Sequence, residues 1–193
     1  MSSLTISPDK YLATERASDL RSEYISGEVV TMAGASNRHE TIVINLAGQL
    51  SNKLRRTSCR PLGGGLRIRI REANYLYADL TVICGAIKLV DDGYDDTLLN
   101  PTVIFEILSK TTEDRDHGVK WRLYQQIPSL EHYVIVDQIT ACVEIYTRHA
   151  DVDWLVHTET GLEGQFTLSA IGVTLSLADL YEDVALEPDP LTS

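Results

Sequence analysis

Two apolar segments of the sequence each contain a single acidic residue, and this feature constrains the fold most. Residues 75–84 include Asp79, and residues 102–108 include Glu106. Short apolar segments of this kind are typical of buried β-strands. An unpaired carboxylate is costly to bury in such a strand. We therefore expect the two strands to be neighbours in one sheet, with both acids at a common site.

Capping residues and apolar spacing predict three main helices. Residues 8–17 form the first, with Ser7 as its cap. The second begins at Ser36 or Asn37, and Thr112 caps the third, which continues to about residue 126. The second helix buries one face, because its apolar residues follow the i, i+3, i+4 spacing at Val43, Leu46, Leu50 and Leu54.

Strands fill most of the remaining chain. Residues 23–33 predict a hairpin or bent strand, and residues 66–71 alternate strictly between apolar and basic residues, as a strand at a sheet margin does. Pro61 and the glycines at 63–65 are predicted to end the second helix. After residue 128 only strands and one last helical turn are predicted. This order favours an α/β (α+β) fold with a central mixed sheet flanked by helices.

The length of 193 residues suits one compact domain. We predict an N-terminal tail at 1–10, a single domain at 11–181 and an acidic, flexible tail at 182–193. Residues 1–10 are polar and do not show the pattern of a secretion signal, and no run of about 18 apolar residues occurs. We therefore expect a cytoplasmic protein without membrane contact. The three cysteines show no paired spacing, so reduced thiols are expected.

Charge is unevenly distributed along the chain. The net charge of −11 argues against coating of nucleic acid by bulk electrostatics. Residues 53–71 nevertheless contain seven basic residues and no acid. Alternation along a strand predicts that Arg67, Arg69 and Arg71 share an exposed face, which would contact the backbone of DNA if DNA binds. The alternative is an ordinary solvated surface.

Asp79 and Glu106 together suggest a divalent metal site. Hard cations take carboxylate oxygens and remove the repulsion between them. For either acid alone, a salt bridge to an arginine or exposure at a strand end is an equally ordinary explanation.

Three further side chains have both a functional and a structural interpretation. Lys120 follows Asp116 by four residues, so the two form either part of a site or a surface ion pair. Glu40 follows Asn37 by three residues, as in a capping box. His39 heads the apolar stripe of the second helix, where a packed core histidine is common.

Several short motifs occur in a characteristic order along the chain. They are Glu23 to Glu28 with Met32 and His39, then Ala78-Asp79, Phe105 to Ser109, Thr112, Asp116, Lys120 and Tyr124, and finally Tyr133 to Asp137. Together they resemble the Uma-type restriction endonuclease family of the PD-(D/E)XK nuclease superfamily, over roughly residues 11–181. The resemblance implies a restriction-endonuclease-like fold.

The resemblance also implies roles for individual residues. Asp79, Glu106 and the Ile107 carbonyl correspond to metal ligands, and Lys120 to the catalytic lysine. Glu40 corresponds to a further catalytic acid, with His39 and Glu23 as accessory residues. This chain departs from the superfamily pattern at three positions: Leu108 stands where the lysine usually lies, Ala78 replaces the motif proline, and Ser26 stands where the family often has aspartate.

The predicted function is hydrolysis of DNA phosphodiester bonds by an endonuclease that uses Mg²⁺ or Mn²⁺ and no small-molecule cofactor. A homodimer is expected, because two symmetric sites cut both strands of a duplex most simply. The alternative is a non-catalytic homodimeric interaction protein that retains the nuclease fold.

Overall fold

A computed structural model describes residues 6–32, 34–108, 116–150 and 153–187. Within these ranges the helices are α1 (Pro8–Arg16), α2 (Asn37–Lys53), a π-helical turn (Asp116–Lys120) that continues into α3 (Trp121–Tyr124), a 3₁₀ turn (Ser169–Ile171) and α4 (Leu177–Leu180). Among the described helices, none combines the length and the hydropathy that a membrane-spanning helix requires. The predicted cap Thr112 lies outside the described residues, as do 188–193 of the predicted tail.

Thirteen strands are found in the described residues. They are β1 (Ser22–Ile25), β2 (Glu28–Thr31), β3 (Cys59–Gly63), β4 (Arg67–Ile70), β5 (Asn74–Tyr77), β6 (Leu80–Cys84), β7 (Thr97–Leu98), β8 (Val103–Leu108), β9 (His132–Asp137), β10 (Cys142–Arg148), β11 (Trp154–Thr160), β12 (Gln165–Leu168) and β13 (Val173–Ser176).

The strands form two larger sheets and one hairpin. The first sheet has the order β11-β10-β9-β8-β6-β3, and the second has the order β2-β1-β5-β4-β7. Only β8 and β9 run parallel in the first sheet, and only β4 and β7 in the second. Strands β12 and β13 pair separately. The predicted class of mixed sheets flanked by helices is therefore confirmed.

The two faces of the six-stranded sheet bury different partners. On one face, Leu46 and Leu50 of α2 pack with Phe105 of β8. On the other, Ile104 of β8 packs with Ile68 of the second sheet. Side chains alternate along a strand, so Glu106 lies on the Ile104 side, between the two sheets.

Two strand predictions were wrong in detail. Residues 75–84 do not form one strand: β5 and β6 belong to different sheets, and Ala78 and Asp79 connect them. Residues 59–63 form β3 instead of merely ending a helix. Pro61 is tolerated there because β3 is an edge strand, where one side of the backbone has no ladder partner.

The prediction of reduced cysteines was wrong for two of the three. Cys59 and Cys84 form a disulfide. The antiparallel register of β3 and β6 places these residues directly opposite each other. The pairing depends on β3, which the sequence pattern did not predict.

The predicted arginine face was wrong for Arg67. Strand β4 lies between β5 and β7 instead of at the sheet margin. Arg67 is therefore only 3% exposed, and its guanidinium pairs with Asp96. Arg69 is half-buried in the same strand, and Arg71 is exposed in the turn that follows.

Candidate active site

A cavity of about 640 Å³ opens where β1, the start of α2, the end of β8 and the π-helical turn meet. Its lining includes most of the residues proposed from the sequence. The polar members are Asp19, Arg21, Glu23, Thr31, Ser36, His39, Glu40, Tyr77, Asp79, Glu106, Asp116, Lys120 and Gln138. Arg67, Arg69 and Arg71 do not line it.

Lys120 is buried at the base of this cavity, with its side chain 7% exposed. Its ammonium nitrogen lies 3.1 Å from Glu106 Oε1, 3.3 Å from Asp116 Oδ1 and 3.4 Å from Glu23 Oε1. The Tyr77 carbonyl accepts a longer bond of 3.5 Å. The alternative of a surface Asp116–Lys120 pair is therefore wrong, because the turn that carries both residues packs inward.

The turn that carries Lys120 is π-helical, not α-helical. π-Helical turns are rare in proteins, and those that occur are often found at functional sites. Trp121 begins the α-helical part, and Tyr133 donates a hydrogen bond to the Asp116 carbonyl at 3.1 Å. Capping signals predicted a regular helix here, and such signals do not reveal a change in helical geometry.

Glu106 is buried at the base of the cavity, as are the acids Glu23 and Asp116. The hydroxyl of Tyr124 donates to Glu106 Oε1 at 2.9 Å, the same oxygen that Lys120 contacts. Burial raises the pKa of the Glu106 carboxyl well above its usual value, although the Lys120 ammonium lowers it. The nearby carboxylates of Asp116 and Asp79 add to the rise.

For Lys120 itself the balance of causes differs. Burial lowers its pKa, but the surrounding carboxylates, with Glu106 first, outweigh burial and raise the pKa above its usual value. The side chain is therefore an ammonium at neutral pH.

Glu23 reaches the same cluster from β1. Its side chain is 1% exposed, and Oε1 accepts a hydrogen bond from the Tyr77 backbone N–H at 3.1 Å. This bond joins β1 to the end of β5, immediately before the connection that carries Asp79. The sequence placed Glu23 only as an accessory residue, since its contact with Lys120 joins residues far apart in the chain.

Asp79 lies one residue before β6, opposite Glu106 when the β6–β8 register is extended by one pair. Its Oδ2 accepts a hydrogen bond of 2.7 Å from the Ile107 backbone N–H. Its Oδ1 lies 3.1 Å from His39 Nε2. Neighbouring groups therefore orient both carboxylate oxygens of Asp79. One of these neighbours, Ile107, directly follows Glu106 in the chain.

The two α2 residues of the site differ in exposure. His39 is mostly buried against Asp79 instead of being packed in the apolar core. Burial lowers its pKa, but the hydrogen bond and charge of Asp79 outweigh burial, and the pKa is raised. Glu40 lies at the cavity rim with its side chain 63% exposed. Ser36, not Asn37, caps α2, because its side chain accepts from the His39 N–H.

Gly64 packs closely against the backbone of Ala78 and Asp79, which connect β5 to β6. A Cβ atom on Gly64 would lie 2.7 Å from the Ala78 carbonyl oxygen and 3.1 Å from that of Asp79. Only a residue without a side chain fits there. The sequence suggested a turn at the glycines but not this contact with the candidate site.

The oxygen ligands of the cavity fit a hard divalent cation that needs only a few protein ligands. Six acidic side chains line the cavity, against the cations Arg21 and Lys120 and the ring of His39. Within the described ranges, no group of three or more His, Cys, Asp or Glu side chains is arranged as a metal cluster. Mg²⁺ commonly uses only one or two carboxylates and keeps several waters, and Asp79 and Glu106 supply that number.

Comparison with known proteins gives one family match and two curated relatives. The family model described as "Uma2: Putative restriction endonuclease" matches residues 8–178. A Synechocystis sp. protein named "Uncharacterized protein slr1290" is 29% identical over 181 residues, which cover 93% of each chain. A second Synechocystis sp. protein, "Uncharacterized protein sll1609", is 30% identical and covers 83% of this chain and 90% of its own length.

A crystal structure from Anabaena variabilis, described as a putative nuclease belonging to DUF820, superposes with a TM-score of 0.76. The match covers 92% of this chain and 98% of that chain at 17% identity. Likeness at this identity shows that the two chains share a fold.

Proposed function

Because the chain belongs to the Uma2 family, described as putative restriction endonucleases, we propose that it is a metal-dependent endonuclease that hydrolyses phosphodiester bonds of DNA. One observation carries the proposal: a buried Lys120 ammonium lies 3.1 Å from Glu106 in a cavity that Asp79 also lines. Two acids that can hold a divalent cation, with a positive group beside them at one open cavity, suit metal-assisted phosphodiester hydrolysis.

Asp79, Glu106 and the Ile107 carbonyl are the proposed holders of Mg²⁺ or Mn²⁺. Both contacts of Glu106 with Lys120 and Tyr124 use Oε1, which leaves Oε2 for a further ligand. A bound divalent cation lowers the pKa of a water and neutralises phosphate charge. With the ion bound, the repulsion between Asp79 and Glu106, which adds to the raised pKa of Glu106, would be offset.

Lys120 has an electrostatic role in this proposal. Its raised pKa keeps it protonated, so it acts as a positive group and not as the base that removes a proton from water. A fixed ammonium in a water-poor site stabilises negative charge as it develops on the phosphate. Glu23 and Asp116 hold the ammonium in position through contacts of 3.4 and 3.3 Å.

His39 and Glu40 serve the site from the first turn of α2. His39 orients Asp79 through the 3.1 Å contact of Nε2 with Oδ1, as second-layer partners of metal ligands commonly do. Glu40 is exposed at the rim, where its side chain can turn toward a substrate or a second cation.

The proposal extends to assembly, because each chain supplies one site. A homodimer with two-fold symmetry would present two such sites to the two strands of a duplex. A small-molecule cofactor has no role in this chemistry.

Incubation of supercoiled plasmid with the protein and Mn²⁺, Mg²⁺ or EDTA tests the proposal. Wild type and Asp153→Asn, which changes an exposed residue, should both nick the plasmid with metal and fail with EDTA. Asp79→Asn should not nick under any condition. The alternative of a non-catalytic interaction protein would be favoured by any of three results. All three proteins could cleave equally, all three could cleave without metal, or none could cleave.

A further inference from the structure

A second groove lies at the C-terminal end of α2 and is basic, in contrast to the acidic cavity. It has a volume of about 340 Å³, and its charged lining consists of Arg55, Arg56 and Arg60. All three side chains belong to exposed residues. No acidic residue lines this groove in the described part of the chain. We call it the α2 groove.

No acid in the described part of the chain pairs with the cations around the α2 groove. Lys53 lies next to the groove. Neither this lysine nor the three arginines of the groove form an ion pair with another described residue, whereas Arg16 and Arg67 pair with aspartates. Residues 41–71 contain no acid at all. The chain as a whole carries a net charge of −11. The groove is therefore a local region of positive charge on an acidic protein.

One lining residue of the α2 groove lies on the same side of α2 as one lining residue of the candidate active site. Glu40 lines the cavity and Ser51 lines the groove. The two residues are eleven positions apart in one continuous helix, so they differ by about 20° around its axis and by about 17 Å along it. Ile44, which lies between them on nearly the same line, is 68% exposed, so this side of the helix is open to solvent.

We propose that the α2 groove binds the phosphodiester backbone of a nucleic acid that extends from the candidate active site along α2. The inference rests on the proposed function for the identity of this polyanion. Guanidinium groups bind phosphate oxygens in a bidentate manner and suit the groove's three arginines. A separation of about 17 Å corresponds to about five base pairs of duplex, so a short DNA segment is long enough to reach both sites.

Fluorescence anisotropy with a labelled duplex of about 20 base pairs, in EDTA and between about 50 and 200 mM NaCl, tests the groove without cleavage. Arg55→Gln with Arg60→Gln should weaken binding at least tenfold at the lowest salt. The slope of log affinity against log salt should fall in magnitude by about two, at about 0.9 per phosphate contact. The matched control, Lys10→Gln with Arg122→Gln, removes the same charge from exposed residues outside both sites and should change the slope little.

Three results would overturn the inference: a groove variant that binds like the control, a wild type that does not bind the duplex, or equal competition by inorganic phosphate and unlabelled duplex at matched phosphate concentration. The last result would identify a site for small anions. Plasmid nicking in Mn²⁺ is measured separately. Binding that depends on the groove without nicking contradicts the nuclease proposal alone, while nicking with unaltered binding by the groove variant contradicts the groove alone.

Discussion

The Lys120 ammonium lies 3.1 Å from Glu106 Oε1, and both side chains are nearly inaccessible to solvent. Glu106 comes from the middle of the core sheet, and Lys120 from the π-helical turn that packs over it. Two further carboxylates, Glu23 and Asp116, contact the same ammonium. The lysine therefore has two roles that experiments must separate, since it compensates buried negative charge and is the proposed positive group at the phosphate.

Lys120→Met should slow Mn²⁺-dependent nicking by at least about 100-fold, as the loss of one preorganised charge-stabilising group commonly does. It should also lower the free energy of unfolding by about 3–5 kcal/mol, because it leaves buried carboxylates without their cation. Nicking is assayed below the melting temperature of the variant, which circular dichroism measures. The exposed Lys10→Met serves as control. Nicking at the wild-type rate by folded Lys120→Met would contradict the catalytic role.

Asp79→Ala should weaken Mn²⁺ binding at least tenfold, because it removes one of two proposed carboxylate ligands. Isothermal titration of Mn²⁺ into the wild type, the variant and the exposed control Asp153→Ala measures this. Negligible heat in all three proteins would remove the metal site from the proposal.

The acids of the site could be predicted from local pattern, but their environment could not. Asp79 and Glu106 stood out because each interrupts an apolar segment, and such acids rarely remain unpaired in a core. The break between β5 and β6 was missed because an apolar segment looks the same whether its two halves join one sheet or two. That break is what brings Asp79 beside Ile107 and His39.

Lys120 and Arg67 illustrate the same limit with charged residues. Local spacing paired Lys120 with Asp116 and suggested an exposed pair, yet the burial depends on Glu23 and Glu106, which are distant in sequence. Alternation identified a strand around Arg67, but the strand's neighbours in the sheet decide its exposure. The partner, Asp96, lies in a loop that no local pattern connects to β4.

His132 should make the protein less stable in acid. It is buried, and its ring contacts the Thr147 hydroxyl and accepts from the Ala170 N–H. Burial lowers its pKa to about 4, while a histidine in the unfolded chain has a pKa of about 6.5. Between these values the unfolded state binds more protons, so stability falls as pH falls through this window, by at most about 3.4 kcal/mol.

Urea unfolding of the wild type and His132→Gln at about pH 7 and pH 4.5 isolates this contribution, because other acid-sensitive groups are common to both proteins. The loss of stability between the two pH values should be smaller in His132→Gln. The exposed His149→Gln should lose as much stability as the wild type. Equal losses in all three proteins would contradict the prediction.

Gly64→Ala should impair the site without touching any of its side chains. The added Cβ would lie 2.7 Å from the Ala78 carbonyl oxygen and 3.1 Å from that of Asp79, and both neighbours are backbone atoms that cannot rotate away. The connection that carries Asp79 must therefore shift. A misplacement of about 1 Å can cost about 100-fold in rate, so nicking should fall by one to two orders of magnitude, with Mn²⁺ affinity reduced in parallel.

Gly63→Ala and Gly65→Ala are matched controls, because a Cβ at either position meets nothing within 4 Å. Overpacking alone would lower stability by about 1–3 kcal/mol and leave nicking unchanged below the melting temperature, and that outcome would contradict a positioning role for Gly64.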